Sequence, residues 1–169
     1  MPIVQSDISL LASVLKQNSI MLATAESCTG GLIGHLITNE PGSSDWYLGG
    51  VVAYSNELKI SVLNVDRELL DAYGAVSPEC AEAMARGVAG LCGAGAALAV
   101  SGIAGPGGGT PDKPVGTVCF GWFVLGRTWQ EKKVFQGNRE EVKMQSAEHA
   151  VQGLVDYHLQ GLNQQALKR

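Results

Sequence analysis

The sequence predicts a three-layer α/β/α sandwich around a mixed, mostly parallel sheet. Three observations carry that expectation. Amphipathic helical stretches alternate with short apolar runs along the chain. Two late runs, Val115 to Leu125 and Thr128 to Phe135, flank Gly126-Arg127 as a hairpin would, which adds an antiparallel pair to an otherwise parallel sheet. The 169 residues are 46% hydrophobic and 17% charged, enough to fill one core, so residues 1–169 read as a single domain.

Taken in order, Ile8, Leu11, Val14 and Leu15 recur at helical spacing, predicting a first helix that ends near Gln17 to Ser19. Ile20 to Ala25 follows as a buried strand. Thr29-Gly30-Gly31 opens a second helix carrying Leu32, Leu36 and Ile37, and Pro41-Gly42 stops it. A strand runs through Val51, Val52 and Tyr54, and a short helix from Asn56 through Leu63. Ser77-Pro78-Glu79 places an N-cap hydroxyl, a first-turn proline and a carboxylate at one helix start, and that helix extends to about Leu91. Its alanines and glycines predict close packing on the sheet. Ala96 to Ser101 is the next strand, ending in the glycine-rich loop Gly102 to Gly109. After the hairpin, Asn138-Arg139-Glu140-Glu141 matches a capping box and opens the last helix.

Composition excludes several function classes. A formal net charge of −4 argues against general nucleic-acid binding, though not against a local basic pocket for one phosphate. No stretch approaches the ~18–20 apolar residues of a bilayer span, so no membrane partner is expected. The N-terminus carries Asp7 and lacks the basic region of a signal peptide. Cys28, Cys80, Cys92 and Cys119 lie far apart without zinc spacing, and no disulfide is needed at this size, so the cytoplasm is the expected setting. No metal or organic cofactor is expected. His35, His149 and His158 lack ligand spacing and read as structural or exposed.

Three polar or glycine-rich segments follow predicted strands, where ligands sit in open α/β sheets. In Glu26 to Gly31, Ser27 stands at a strand-to-helix turn where backbone N–H groups can stabilise negative charge, and Gly30 and Gly31 allow close backbone approach. A helix cap by Ser27 or Thr29 explains the same turn. Cys28 is a rival nucleophile, since a thiol at a helix N-terminus can ionise. In Tyr54 to Lys59, a lysine just inside a helix after a buried strand can be desolvated into a base; a solvated helix lysine is the alternative. A Y-x-x-x-K dehydrogenase pair fails, because Leu58 stands at the lysine position. In Ser101 to Gly109, the amides can form an anion cradle or simply a connecting loop. Neither a P-loop nor G-x-G-x-x-G is present. Arg139 can add a cation for phosphate or remain a surface residue.

These segments together resemble the CinA C-terminal domain family, the nicotinamide-nucleotide amidases. The match runs through Thr24 to Gly31, Pro41 to Ser44, Gly49 to Glu57, Lys59, Gly74 to Ser77, Ser101 to Pro106, Lys113 to Thr117, Gly137 and Arg139. It covers nearly the whole chain, with Ser101 where many relatives have Thr. The resemblance implies deamidation of nicotinamide mononucleotide to nicotinate mononucleotide and ammonia. It implies Ser27 as nucleophile, with Tyr54 and Lys59 handling protons. Thr29, Gly30 and Gly31 would serve the oxyanion, and Ser101, Gly102, Gly105, Gly107 and Arg139 the nucleotide. The chain has no room for the larger N-terminal domain of some members, so a stand-alone amidase is expected. A homo-oligomer is also expected, with a dimer favoured. The alternative is a non-catalytic nucleotide-binding or regulatory module that keeps the pocket.

Overall fold

A computed structural model describes residues 3–159, with the side chains of Ile3, Tyr157 and His158 outside the description along with the termini. The chain orders as α1 (Ile3–Gln17), β1 (Leu22–Glu26), α2 (Leu32–Thr38), β2 (Tyr47–Val52), α3 (Asn56–Ser61), α4 (Arg67–Tyr73), α5 (Pro78–Cys92), β3 (Ala96–Gly102), β4 (Thr117–Val124), β5 (Arg127–Val134) and α6 (Arg139–Gly153). The strands form one sheet in the order β2-β1-β3-β4-β5. β1 lies parallel to both β2 and β3, whereas β4 runs antiparallel to β3 and to β5. The expected α/β/α sandwich is therefore present, and the direction of β4 alone makes the sheet mixed.

Alternation along the strands builds two unequal faces. One presents Leu22, Leu98, Val100, Val118, Phe120 and Trp122 to α1, α2 and α6. The other presents Ala23, Ala25, Ala97 and Ala99 to α5 and to the Leu63–Leu70 stretch. Small side chains let α5 approach closely, so a Cβ at Gly121 would collide with the Ala81 carbonyl. α6 sits on the large face, where Trp122 donates its indole N–H to the Ala150 carbonyl at 2.9 Å.

Local signals account for most boundaries. Ser77 caps α5 by accepting from the Cys80 amide, and Asn138 and Glu141 form the reciprocal capping box of α6. The hairpin turn falls one residue earlier than expected, on Leu125-Gly126, and both take positive φ (48° and 88°) as a two-residue turn of the primed type requires. Arg127 thus starts β5. Tyr54 lies beyond β2 instead of within it, and α4, capped by Asp66, is an element the sequence reading did not include.

Candidate active site

Because β1, β2 and β3 run parallel, their carboxyl ends open on the same edge of the sheet, and one cavity of about 290 Å³ forms there. Ser27 follows β1, Tyr54 follows β2, and Ser101 to Gly108 ends and follows β3; all contribute walls, joined by Arg139 from the start of α6.

Ser27 and Lys59 meet in this cavity. Ser55 caps α3 by accepting from the Leu58 amide, and that short helix directs Lys59 inward. Lys59 is 1% exposed and Ser27 is 7% exposed. The Lys59 Nζ donates to Ser27 Oγ at 3.1 Å, to the Ala53 carbonyl at 2.9 Å and to the Tyr54 carbonyl at 3.1 Å. Burial holds this ammonium below the ordinary lysine value. Neighbouring thiolates at Cys80 and Cys28 would oppose that shift. Burial, however, pushes Cys28 up to about 12 and Cys80 up to about 11, so both are neutral thiols near pH 7. In the neutral amine, two N–H bonds satisfy the two carbonyls and the lone pair is left facing the Ser27 hydroxyl.

The same chemistry separates the two candidate nucleophiles. Cys28 lines the cavity, but a thiol with its pKa near 12 is almost wholly protonated at neutral pH. Ser27 has an amine at hydrogen-bond distance.

Tyr54 is placed differently. Its carbonyl holds Lys59, while the residue as a whole is 62% exposed, at the cavity mouth. Its hydroxyl accepts from an Arg139 guanidinium nitrogen at 3.5 Å and bonds neither Ser27 nor Lys59. Arg139 also donates to the Gly105 carbonyl at 2.7 Å, tying the glycine-rich loop to α6. Gly102, Gly105 and Gly107 line the cavity as well. Ser101 is buried and donates to the Ala75 carbonyl at 2.7 Å, which leaves its oxygen able to accept. The loop amides of Ala104, Gly105, Gly107 and Gly108 face no acceptor among the described residues. They are donors in search of one.

Thr29, Gly30 and Gly31 depart from expectation, for they form no part of the cavity wall. Gly30 N–H donates to the Ser27 carbonyl at 3.1 Å, and the Thr29 hydroxyl is buried without a partner. Nor does Ser27 or Thr29 cap α2; Gly31 holds that position and brings no side chain. The amides at the start of α2 are taken instead by Glu26, whose carboxylate accepts from Ile33 N–H at 2.9 Å and Gly34 N–H at 3.0 Å. Sequence reasoning missed this role of Glu26, and it missed Asn56, Ala75 and Val76 as wall residues. Asn56 had a usable signal, because it precedes Lys59 by three residues and so shares its helix face.

His35 pairs with Asn39 on α2, and His149 bonds Glu131 at 2.8 Å beside the Phe120 ring, both away from the cavity. Among the described residues, no group of three His, Cys, Asp or Glu gathers as a metal site, and no helix is long and apolar enough to cross a membrane.

Comparison with known proteins gives the family of the chain. A family model described as the CinA C-terminal domain matches residues 5–158. A competence-damage inducible protein of Moorella thermoacetica is 50% identical over 143 residues, covering 85% of this chain and 34% of its own length. The chain spans about a third of the length of the longer relatives it matches. A shorter relative, the nicotinamide-nucleotide amidohydrolase PncC of Pseudomonas putida, is 47% identical, covering 86% of this chain and 91% of that one. The crystal structure of the competence damage-inducible protein A from Klebsiella pneumoniae superposes with a TM-score of 0.88 at 36% identity, covering 91% of this chain and 96% of the other.

Proposed function

We propose, from the premise that this chain belongs to the CinA C-terminal domain family, that it hydrolyses the carboxamide of nicotinamide mononucleotide to nicotinate mononucleotide and ammonia. The buried Lys59 Nζ at 3.1 Å from Ser27 Oγ is the observation that carries this proposal, because amide hydrolysis through an acyl-enzyme needs an activated hydroxyl.

Neutral Lys59 takes the proton of Ser27 as Oγ attacks the carboxamide carbon. The resulting ammonium then protonates the leaving nitrogen, the C–N bond breaks, and ammonia departs from an ester on Oγ. Water attacks that ester with Lys59 again accepting the proton, which frees the carboxylate product and restores Ser27. The unpartnered amides of Ala104, Gly105, Gly107 and Gly108 are the donors available to the anionic groups of substrate and intermediate. Arg139 meets the nucleotide phosphate, and Tyr54 orients Arg139 from the cavity mouth. The mechanism works with side chains and backbone alone. Free thiols at Cys28, Cys80 and Cys119 suit a reducing cytoplasm.

Incubating the protein with nicotinamide mononucleotide and measuring ammonia and nicotinate mononucleotide tests the proposal. Equimolar release of both is expected. Binding of the nucleotide without any release would favour a non-catalytic module.

A further inference from the structure

The turn that presents Ser27 is closed by a residue outside the Ser27–Lys59 pair. We propose that Glu26 is the positioning residue of that pair: its carboxylate clamps α2, and the clamp sets the distance between Ser27 Oγ and Lys59 Nζ. This rests on the reading above of Ser27 as nucleophile and Lys59 as base, and not on the choice of substrate.

Few bonds besides those of the Glu26 carboxylate fix the turn. Five residues join the end of β1 to the start of α2, and two of them, Gly30 and Gly31, sit at φ 62° and 101°. Glycine restrains these positions least. Toward the strand, the turn is held by Ser27 N–H on the Val100 carbonyl at 2.9 Å, and internally by Gly30 N–H on the Ser27 carbonyl and Leu32 N–H on the Thr29 carbonyl, each at 3.1 Å. Where the turn enters α2, the Glu26 carboxylate grips the Ile33 and Gly34 amides. Glu26 is 3% exposed, so water does not compete for those bonds. The residue adjoining Ser27 therefore fastens the helix that follows it.

Lys59 is fixed by the carbonyls of Ala53 and Tyr54, and Ala53 N–H bonds the Glu26 backbone carbonyl at 2.9 Å, a contact made by the strand and not by the carboxylate, so Lys59 does not travel with α2. Loosening the clamp consequently changes the Oγ–Nζ separation instead of moving both groups together. The opposite wall, with the 104–108 loop and Arg139, stands on β3 and the start of α6 and makes no bond to the Glu26 carboxylate. A defect at Glu26 thus falls on turnover and spares binding. The clamp also spends the positive end of α2 on Glu26, consistent with the absence of Thr29, Gly30 and Gly31 from the cavity wall.

Glu26→Gln and Glu26→Asp provide the test. Glutamine keeps the size but offers one acceptor, and its amide nitrogen opposes the second N–H. Aspartate keeps the charge on a stem too short to span both amides. Each is expected to lower kcat about tenfold to a hundredfold while KM stays within about threefold. A fluorophosphonate reads the pair without any nucleotide: Oγ bonds phosphorus, fluoride leaves, and Lys59 accepts the proton. Its rate of labelling Ser27 is expected to fall by the same factor. Unchanged kcat and labelling, a raised KM with kcat intact, or full rescue by aspartate would each overturn the clamp. Should neither variant fold, hydrogen exchange in the wild-type protein decides: slow exchange at Ile33 and Gly34 supports the clamp, and exchange as fast as in the exposed loops contradicts it. Labelling of wild-type Ser27 without ammonia release from the nucleotide would count against the substrate alone.

Discussion

The two walls of the cavity are built on opposite plans. On the wall of Ser27 and Lys59, both side chains are buried, and the Lys59 nitrogen spends all its bonding capacity on the hydroxyl and two carbonyls. On the wall of residues 104–108, the backbone amides lack acceptors, and much of the loop is exposed. Completed bonding fixes one geometry, as bond-making requires. Open bonding capacity waits for a ligand. The difference supports the proposed division, with bond-making on the wall of Ser27 and Lys59 and ligand binding on the wall of the loop.

Substitutions can break or sharpen that division. The largest effect is expected for Ser27→Ala and Lys59→Ala, each lowering kcat by about a hundredfold or more, with the double variant no worse than either single one. Additive losses in a steady-state comparison would mean that the two residues do not act as a unit. Arg139→Ala, on the binding wall, is expected to raise KM about tenfold with kcat largely kept, because a charge-assisted contact to phosphate is lost. A collapse of kcat there would erase the distinction between walls.

Tyr54→Phe sharpens the boundary between them. The carbonyl that holds Lys59 survives this change, and only the hydroxyl on Arg139 goes. A loss of about tenfold or less, falling mainly on KM, is expected. A kcat loss as large as that of Lys59→Ala would put the hydroxyl in the proton path. The smallest functional effect is expected for Cys28→Ala: activity within about threefold of wild type, with a stability loss of about 1 kcal/mol in thermal or denaturant unfolding from the vacated packing. An inactive but folded Cys28→Ala enzyme would transfer the nucleophile to sulfur.

The walls also differ in how far the sequence disclosed them. Ser27 and Lys59 could be nominated because each follows a recognisable apolar strand, but topology alone left a helix cap and a solvated lysine open, and the family resemblance chose between them. The α6 capping box was legible because its partners lie three residues apart. Arg139 could be nominated from charge, but its contact with Tyr54 spans 85 positions, a proximity that only the fold creates. Glu26 was hidden for a similar reason. Its acceptor role depends on the path the chain takes between β1 and α2, whereas the local pattern pointed to a hydroxyl cap. The hairpin shifted by one residue because Leu125, a residue ill suited to positive φ, enters the turn. The asymmetry between the sheet's alanine face and its aromatic face was visible only in outline, through the small residues of α5.

The pH dependence of kcat/KM, measured side by side for the wild-type protein and Lys59→Arg, tests most directly whether Lys59 is the base for Ser27. Burial disfavours the Lys59 ammonium, so the neutral, proton-accepting form becomes populated at lower pH than for an ordinary lysine. Wild-type kcat/KM is predicted to rise with pH through an apparent pKa below the usual lysine value of about 10.4. Lys59→Arg is predicted to be nearly as inactive as Lys59→Ala across the range, since a guanidinium keeps the charge and does not release its proton. An active Lys59→Arg enzyme with a flat profile would contradict the assignment and leave Lys59 as a fixed positive charge.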